Sequence, residues 1–408
     1  MNATYKISDK LVWIATVFLF SSITIFESYT WGKYILILAC LFILFIDILE
    51  GKGKYHYTIN SYHYFLCILI IYTFLSSIWG ISAQNSLTKT STYIQILICM
   101  SIVYNHFNKY DGVTQLIEIV KWSSYVISIY SIIYYGFDFV ISMITSGVRL
   151  ENSYSNINTI GMLAAFGIII QIDDILRKKR IGLETIFCVP AFIMVIATQS
   201  RKALLIMIIG ILLVYISRNL SSKKIVKNII KVIIVLIIAY FTLKFLSKFE
   251  IFSGINQRMG YLVAMFTGEG EIGHSALLRQ RLIDLGVEIF KKHPILGIGI
   301  GCPHIIANQV LNFDAYLHNG FVEMLSGGGI VGFLLYYGAY IYLLLQFWKM
   351  RKTKNTIYSL CVILVIICLF RDYAMVSMYD KNMYFYFMIF FMETIELKRK
   401  YRDDELCN

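Results

Sequence analysis

The sequence predicts an all-α fold in which residues 1–408 form a single integral membrane domain. Apolar runs of about 17–20 residues recur along the chain, and each is long enough to cross a hydrocarbon core of ~30 Å as a helix. Only 15% of the residues are charged and 58% are hydrophobic, which is too little charge to cover the surface of a soluble protein of this size. The apolar runs are continuous rather than alternating, which excludes a membrane β-barrel.

About twelve membrane-spanning helices are predicted from the length of these runs. They lie near residues 11–26, 34–49, 64–80, 88–104, 119–145, 157–172, 184–200, 202–217, 229–246, 317–347, 356–371 and 379–396. No small-residue cleavage site follows the first run, so we expect it to be a retained span rather than a removed signal peptide.

The basic residues set the orientation of the bundle. Most of them fall in loops on one side, which are the loops near residues 6–10, 52–54, 177–180, 218–227, 349–354 and 398–400. The positive-inside rule assigns that side to the cytoplasm and places both termini there. The rule also accounts for the net charge of +12, so we expect no nucleic-acid partner.

The outer loops are then 27–33, 81–87, 146–156, 198–202, 247–316 and 372–378, and the loop 247–316 is the longest. Within it, residues 276–292 place Leu278, Leu282, Leu285 and Ile289 on one helical face, which predicts an amphipathic helix on the outer surface or against the bundle. Pro294 ends this helix. A glycine run at 297, 299 and 301 follows, where the backbone can approach a ligand or another helix.

Arginine on the outer side is the informative anomaly, because short outer loops avoid Lys and Arg. Arg149, Arg201 and Arg371 occupy such loops, while Arg258, Arg279 and Arg281 lie in the long loop. Guanidinium groups around one cavity would suit a diphosphate, which they bind through paired hydrogen bonds. Each arginine has a plainer alternative as an anchor at the membrane surface or as the partner of an acid, and Asp372 stands beside Arg371 for that role.

His318 stands at the outer mouth of the tenth predicted span, with Glu323 little more than one turn further on. A histidine there is a candidate proton acceptor, and the alternative is an interfacial histidine bonded to a loop carbonyl. Asn156 and Asn158 could bind a sugar hydroxyl or cap the sixth span, and we expect at least one to be a cap. No Cys/His spacing typical of a zinc site is present, so no metal site is predicted.

Taken together, these motifs resemble those of the O-antigen ligase and polymerase family of bacterial membrane glycosyltransferases. Arg279 precedes the segment His293 to Gly299, which reads HPILGIG, and after a polar spacer come His318-Asn319, Glu323, Gly329 and Gly332. Upstream, ATQSRKALL carries Arg201, and RLENSYSNINTIG carries Arg149, Asn158 and Gly161. In the last motif Asn152 and Ile157 replace the family's usual Gly and Pro. The motifs cover about residues 145–335.

The resemblance implies a fold similar to the C-type glycosyltransferase architecture, with an outward-facing cavity under a long loop. It implies sugar donors carried on a polyprenyl diphosphate, with attack by an acceptor hydroxyl, inversion at the anomeric carbon and no metal or other cofactor. Arg201 and Arg279 would bind the diphosphate, assisted by Arg149 and Arg281. His318 would orient or deprotonate the acceptor, supported by Glu323. Asn158, Asn319 and Arg371 are the other expected substrate contacts.

We therefore expect a polymerase that joins lipid-linked oligosaccharide repeats into O-antigen, capsule or exopolysaccharide at the outer face of the bacterial cytoplasmic membrane. The same lipid-linked oligosaccharide would serve as donor and acceptor, with membrane lipid around it and a chain-length regulator or flippase of the pathway as a further partner. Two alternatives stay open. One is a ligase that transfers the glycan to a lipid A core, and the other is a flippase, although charges within the predicted spans are scarce.

Overall fold

The computed structural model describes residues 7–51, 57–108, 111–151, 154–219, 274–351 and 357–407, and these form fourteen α-helices and one short 3-10 helix. No strand occurs among the described residues, in agreement with the predicted all-α class. The α-helices are α1 Ile7–Ile25, α2 Gly32–Glu50, α3 Ser61–Trp79, α4 Ala83–Phe107, α5 Gly112–Tyr135, α6 Phe137–Ser146, α7 Ile157–Lys178, α8 Cys188–Ala197, α9 Arg201–Asn219, α10 His274–Lys292, α11 Pro303–Leu311, α12 Gly320–Lys349, α13 Tyr358–Ala374 and α14 Lys381–Cys407.

Six of these helices are long and apolar enough to cross a membrane, so the protein is a multi-pass membrane protein. They are α1, α2, α3, α5, α7 and α12. The total of twelve spans and the likeness to the C-type glycosyltransferase fold stay predictions. The predicted span 229–246 and the first part of the long loop, residues 247–273, lie outside the described residues.

Three predicted spans differ in detail from the structure. The span predicted at 119–145 is two helices, because the chain turns at Gly136 with a φ of 86° between α5 and α6. The span predicted at 184–200 begins with a 3-10 turn, Leu183–Phe187, before α8. The span predicted at 317–347 corresponds to α12, which is interrupted at Gly329. Apolar composition shows where a chain enters lipid but hides such breaks, two of which lie at single glycines.

The chain divides into two compact units, and both are discontinuous in sequence. Unit 1 consists of residues 1–39 and 114–272, and unit 2 of residues 40–113 and 273–408.

Unit 1 is built around α7, which is buried over most of its length and packs against α8 and α9. One end of α7 is fixed by buried ion pairs. Asp173 accepts two hydrogen bonds from the guanidinium of Arg218 on α9, at 2.7 and 2.8 Å. Asp174 accepts one at 2.7 Å from Lys121 on α5. Since all three helices contribute charges, the pairs tie α5, α7 and α9 together at this end.

Unit 2 contains the amphipathic helix that the sequence predicts in the long loop. Leu282 on α10 is fully buried against Ala307 and Leu317, with Leu278 and Leu285 packed around them. Ile289, one turn further on, packs against Ile298 and Cys302. The helix ends at Lys292, just before Pro294, so both its apolar face and its end are confirmed.

Candidate active site

In unit 1 the structure brings the segments that carry Arg149 and Arg201 together. Arg201 is the first residue of α9, directly after the turn at Thr198–Ser200, where Gln199 adopts a φ of 44°. The Gln199 side chain donates a hydrogen bond of 3.0 Å to the carbonyl of Val148, the neighbour of Arg149. Both arginines are half-buried. One glutamine therefore links the two motifs that carry them.

The start of α7 lies at the same end of unit 1. A Cβ on Gly161 would come within 2.6 Å of the Thr198 hydroxyl, so α7 approaches the turn before Arg201 as closely as only glycine allows. Asn156 is the N-cap of α7, and its side chain accepts a hydrogen bond from the Asn158 amide at 2.9 Å. The expectation of a capping asparagine is thus confirmed for Asn156. Asn158 stands half-buried in the first turn of α7.

In unit 2 the central feature is the interruption of α12 at Gly329, which has φ 61° and ψ −166°. Only glycine adopts this backbone conformation readily, because any side chain would be strained there. A Cβ at this position would also lie 2.2 Å from the Ile295 carbonyl oxygen. The break thus requires glycine at position 329 for two reasons, which are the backbone conformation there and the close approach of residues 294–301.

The break exchanges helical hydrogen bonds for bonds to the loop. In an unbroken helix, the amides of Ile330 and Val331 would donate to the carbonyls of residues 326 and 327. Here those amides donate instead to the carbonyls of Pro294 and Ile295, at 2.9 and 3.2 Å. The freed carbonyls of residues 326 and 327 accept from the amides of residues 298 and 299, at 3.0 and 2.9 Å. The segment HPILGIG is therefore held in the break by four backbone hydrogen bonds.

His318 stands directly before α12 with a φ of 57°, a left-handed conformation that is uncommon outside glycine. The residues around it fix this position. Asn319 is the N-cap of α12 and accepts from the Val322 amide at 3.1 Å. The fully buried carboxylate of Glu323 accepts from the Leu317 amide at 2.9 Å. Asn319 and Glu323 thus hold the backbone on both sides of the half-buried imidazole.

Arg279 and Arg281 lie on opposite sides of α10. Arg279 is half-buried and Arg281 is exposed. Arg279 precedes Gly286 by two helical turns, so it shares the face on which a Cβ at Gly286 would meet Leu317 and Val322 within 2.5 Å. The face that carries Arg279 is therefore the one packed against the segments on both sides of His318.

Arg371 lies in the last turn of α13 and is only 2% exposed. Its Nη1 is 3.5 Å from a carboxylate oxygen of Asp380. The neighbouring Asp372 instead meets the hydroxyls of Ser377 and Tyr340. The sequence singled out an adjacent acid as partner for this arginine, whereas the structure pairs it with an acid nine residues away.

Unit 2 contains a second group of polar side chains that was not predicted from the sequence. The ammonium group of Lys89, on α4, donates a hydrogen bond of 2.9 Å to the Tyr316 hydroxyl and lies 4.2 Å from the centre of the Tyr379 ring. The Tyr379 hydroxyl in turn donates to Glu323 at 3.4 Å. Lys89 follows the predicted outer loop 81–87 by two residues, so it carries the same sequence signal as the arginines, a cation beside a short predicted outer loop.

The geometry in each unit offers chemistry of one kind. Unit 1 presents two cationic side chains on joined segments. Unit 2 presents a half-buried imidazole, on backbone held by Asn319 and Glu323, beside a helix face with a guanidinium. Cations stabilise the negative charge that develops on a leaving phosphate, and an imidazole accepts a proton near neutral pH.

A family model described as O-antigen ligase matches residues 186–337 of the chain. The matched segment contains Arg201, Arg279, His318 and Glu323, together with the whole break at Gly329. No curated protein matches the chain significantly. Over this segment the family match agrees with the resemblance found in the motifs, and it supports an assignment to the O-antigen ligase and polymerase family.

Proposed function

We propose that the protein is a polymerase that joins polyprenyl-diphosphate-linked oligosaccharide repeats into O-antigen, capsule or exopolysaccharide. The reaction takes place on the outer face of the cytoplasmic membrane, and both termini of the chain are cytoplasmic. The family match supports a glycosyltransferase of this general kind. The single observation that carries the assignment of the site is the fixed His318, held between a capping asparagine and a buried glutamate next to the Arg279 face of α10.

In the proposed reaction, a hydroxyl oxygen of the acceptor sugar forms a bond to the anomeric carbon of the donor. The bond from that carbon to the diphosphate oxygen breaks, and its electron pair leaves with the diphosphate, so the anomeric configuration inverts. His318 takes the hydroxyl proton. Arg201 and Arg279 neutralise the diphosphate, and Arg149 and Arg281 assist them, so the charge is stabilised by guanidinium groups without a metal ion.

Glu323 and Asn319 act as positioning residues in this scheme. Each has a side-chain oxygen that accepts a hydrogen bond from a backbone amide, and Glu323 is fully buried. They therefore serve the reaction by fixing the His318 backbone. Asn158, in the first turn of α7, and Arg371 complete the set of proposed substrate contacts.

A ligase is the second candidate, because the matched family model is described as an O-antigen ligase. The two activities differ only in the acceptor. Purified protein incubated with a lipid-linked repeat should give a ladder of products on a gel if it is a polymerase. A single product that requires a lipid A core would identify a ligase. Movement of the lipid between leaflets without any glycan transfer would contradict both and indicate a flippase.

The site assignment is tested by three variants in the same assay. Arg201→Ala, Arg279→Ala and His318→Ala should each abolish glycan product while the protein remains in the membrane at normal amounts. Normal product from all three variants would refute the site.

A further inference from the structure

Lys89, Tyr316 and Tyr379, here called the Lys89 cluster, lie beside the His318 segment without a role in the scheme above. Lys89 is half-buried in the second turn of α4, and its stem passes Gly301, where a Cβ would come within 2.8 Å of the Lys89 Cγ. A partly buried ammonium group is costly unless it is paired or hydrogen-bonded. Here the ammonium group meets one hydroxyl and two tyrosine rings, at 4.2 and 5.2 Å, and no ion pair forms with it among the described residues.

Hydrogen bonds fix the Tyr379 side of the Lys89 cluster. The Tyr379 hydroxyl accepts from the Gly301 amide at 2.9 Å and donates to Glu323 at 3.4 Å. Glu323 also holds the amide of Leu317, the fully buried neighbour of Tyr316. One carboxylate thus fixes both Tyr379 and the chain that carries Tyr316 and His318.

The Tyr316 side of the Lys89 cluster is exposed. Tyr316 is 38% exposed, and its ring lies 5.2 Å from the Tyr379 ring at 40°. His304 approaches the other side of Tyr316, with ring centres 6.2 Å apart, and stands 4.0 Å from Asp314. An exposed tyrosine ring next to a cation is suited to a ligand with an apolar face and a negative group, because the ring contacts the face while the ammonium binds the oxyanion.

We propose that Lys89 and Tyr316, supported by Tyr379, form a subsite for a sugar residue that carries an oxyanion. The C–H face of the sugar lies on Tyr316 and the oxyanion contacts Lys89. The oxyanion is either the phosphate next to the sugar in a lipid-linked glycan or the carboxylate of an acidic sugar. The subsite rests on the proposed function for its ligand class, and it adds a recognition element beside His318.

Binding to the purified full-length protein tests the subsite without turnover. Three ten-carbon prenyl diphosphate probes are compared, carrying glucose, glucuronic acid or no sugar. The wild type should prefer the sugar-bearing probes, and Tyr316→Leu should remove that preference. Lys89→Met should weaken the binding of each probe whose oxyanion contacts Lys89 about tenfold, as expected for the loss of one charge-assisted contact. Lys89→Arg should restore most of that binding.

The probes also identify the oxyanion. A phosphate at Lys89 predicts that Lys89→Met weakens binding of all three probes, whereas a carboxylate predicts weaker binding of the glucuronic acid probe alone. Lys398→Met is the matched control, because Lys398 also contacts a tyrosine ring and hydroxyl, those of Tyr342, near the other end of α12. This control should bind all probes as the wild type does.

Unchanged binding of every probe by Lys89→Met, or a sugar preference that survives in Tyr316→Leu, overturns the subsite. Thermal melting of each variant confirms that it folds, and Tyr316 is open enough for its replacement to be tolerated. Failure of the subsite and failure of the proposed function give different results. Protein that binds the probes through Lys89 but forms no glycan product would contradict glycosyl transfer and leave the subsite intact. Glycan product together with unchanged probe binding by Lys89→Met would contradict the subsite and leave glycosyl transfer intact.

Discussion

Replacing Gly329 with alanine should destabilise the protein measurably, because the break in α12 depends on this residue. If the break persists, the alanine occupies a strained backbone conformation, at a cost of about 1–3 kcal/mol. Its Cβ would also lie 2.2 Å from the Ile295 carbonyl oxygen, so residues 294–301 must move away.

If α12 straightens instead, it regains its two internal hydrogen bonds but loses its backbone hydrogen bonds to residues 294–299. The amides of Ile298 and Gly299 are buried and would lose their acceptors. A buried amide without a partner costs about 1–3 kcal/mol, so the two together cost about 2–6 kcal/mol. Against a total stability of about 5–15 kcal/mol, either route should lower the thermal midpoint by several degrees.

The assay is thermal unfolding of the purified protein in detergent, with glycan product measured in parallel. Gly338→Ala is the matched control, because Gly338 lies in the same helix and a Cβ there meets nothing within 4 Å. It should be neutral or stabilise the helix by about 0.5–1 kcal/mol. The reasoning is refuted if Gly329→Ala unfolds at the same temperature as Gly338→Ala and forms product normally.

Three further predictions follow from single contacts. Glu323→Ala should lower both the thermal midpoint and the amount of product, because the buried Leu317 amide and the Tyr379 hydroxyl lose their acceptor. Glu323→Gln retains an acceptor oxygen and should recover most of the thermal midpoint. Equal losses in the two variants would contradict this. Asp173→Asn should destabilise the protein by about 3–5 kcal/mol in thermal unfolding, because it weakens the buried ion pair with Arg218. The control Lys178→Gln, which removes a partly exposed ion pair with Asp174, should cost no more than about 1 kcal/mol. Comparable losses in the two variants would contradict the role of the buried pair. In the glycan assay, Arg279→Ala should abolish product and the exposed Arg281→Ala should only reduce it, and the opposite order would exclude the assignment of the two faces of α10.

The parts of the fold that follow from composition and periodicity could be predicted from the sequence. Long apolar runs indicated a multi-pass helical protein, and the spacing of Leu278, Leu282, Leu285 and Ile289 indicated the buried face of α10. Both signals sum over many residues, so single exceptions do not disturb them. The number of spans depends on where helices break, and the breaks at Gly136 and Gly329 rest on one residue each.

Candidate site residues could be selected from the sequence, but the contacts that hold them could not. Outer cations and a histidine at a helix mouth could be selected by type and position. The capping role of Asn319 and the clamping role of Glu323 depend on which backbone amides face them, which no spacing specifies. The contact of Lys89 with Tyr316 joins residues more than two hundred positions apart, so a single sequence gives no sign of it.

The central proposal is that the assigned arginines contact the lipid-linked diphosphate while His318 contacts the acceptor hydroxyl. The most direct test is photolabelling of the purified protein with a polyprenyl-diphosphate-linked glycan that carries a photoreactive group beside the diphosphate, followed by mapping of the labelled peptides by mass spectrometry. The account predicts label on peptides around Arg201 and around Arg279 and His318, and competition by unlabelled lipid-linked glycan. Competable label confined to other parts of the chain would contradict it.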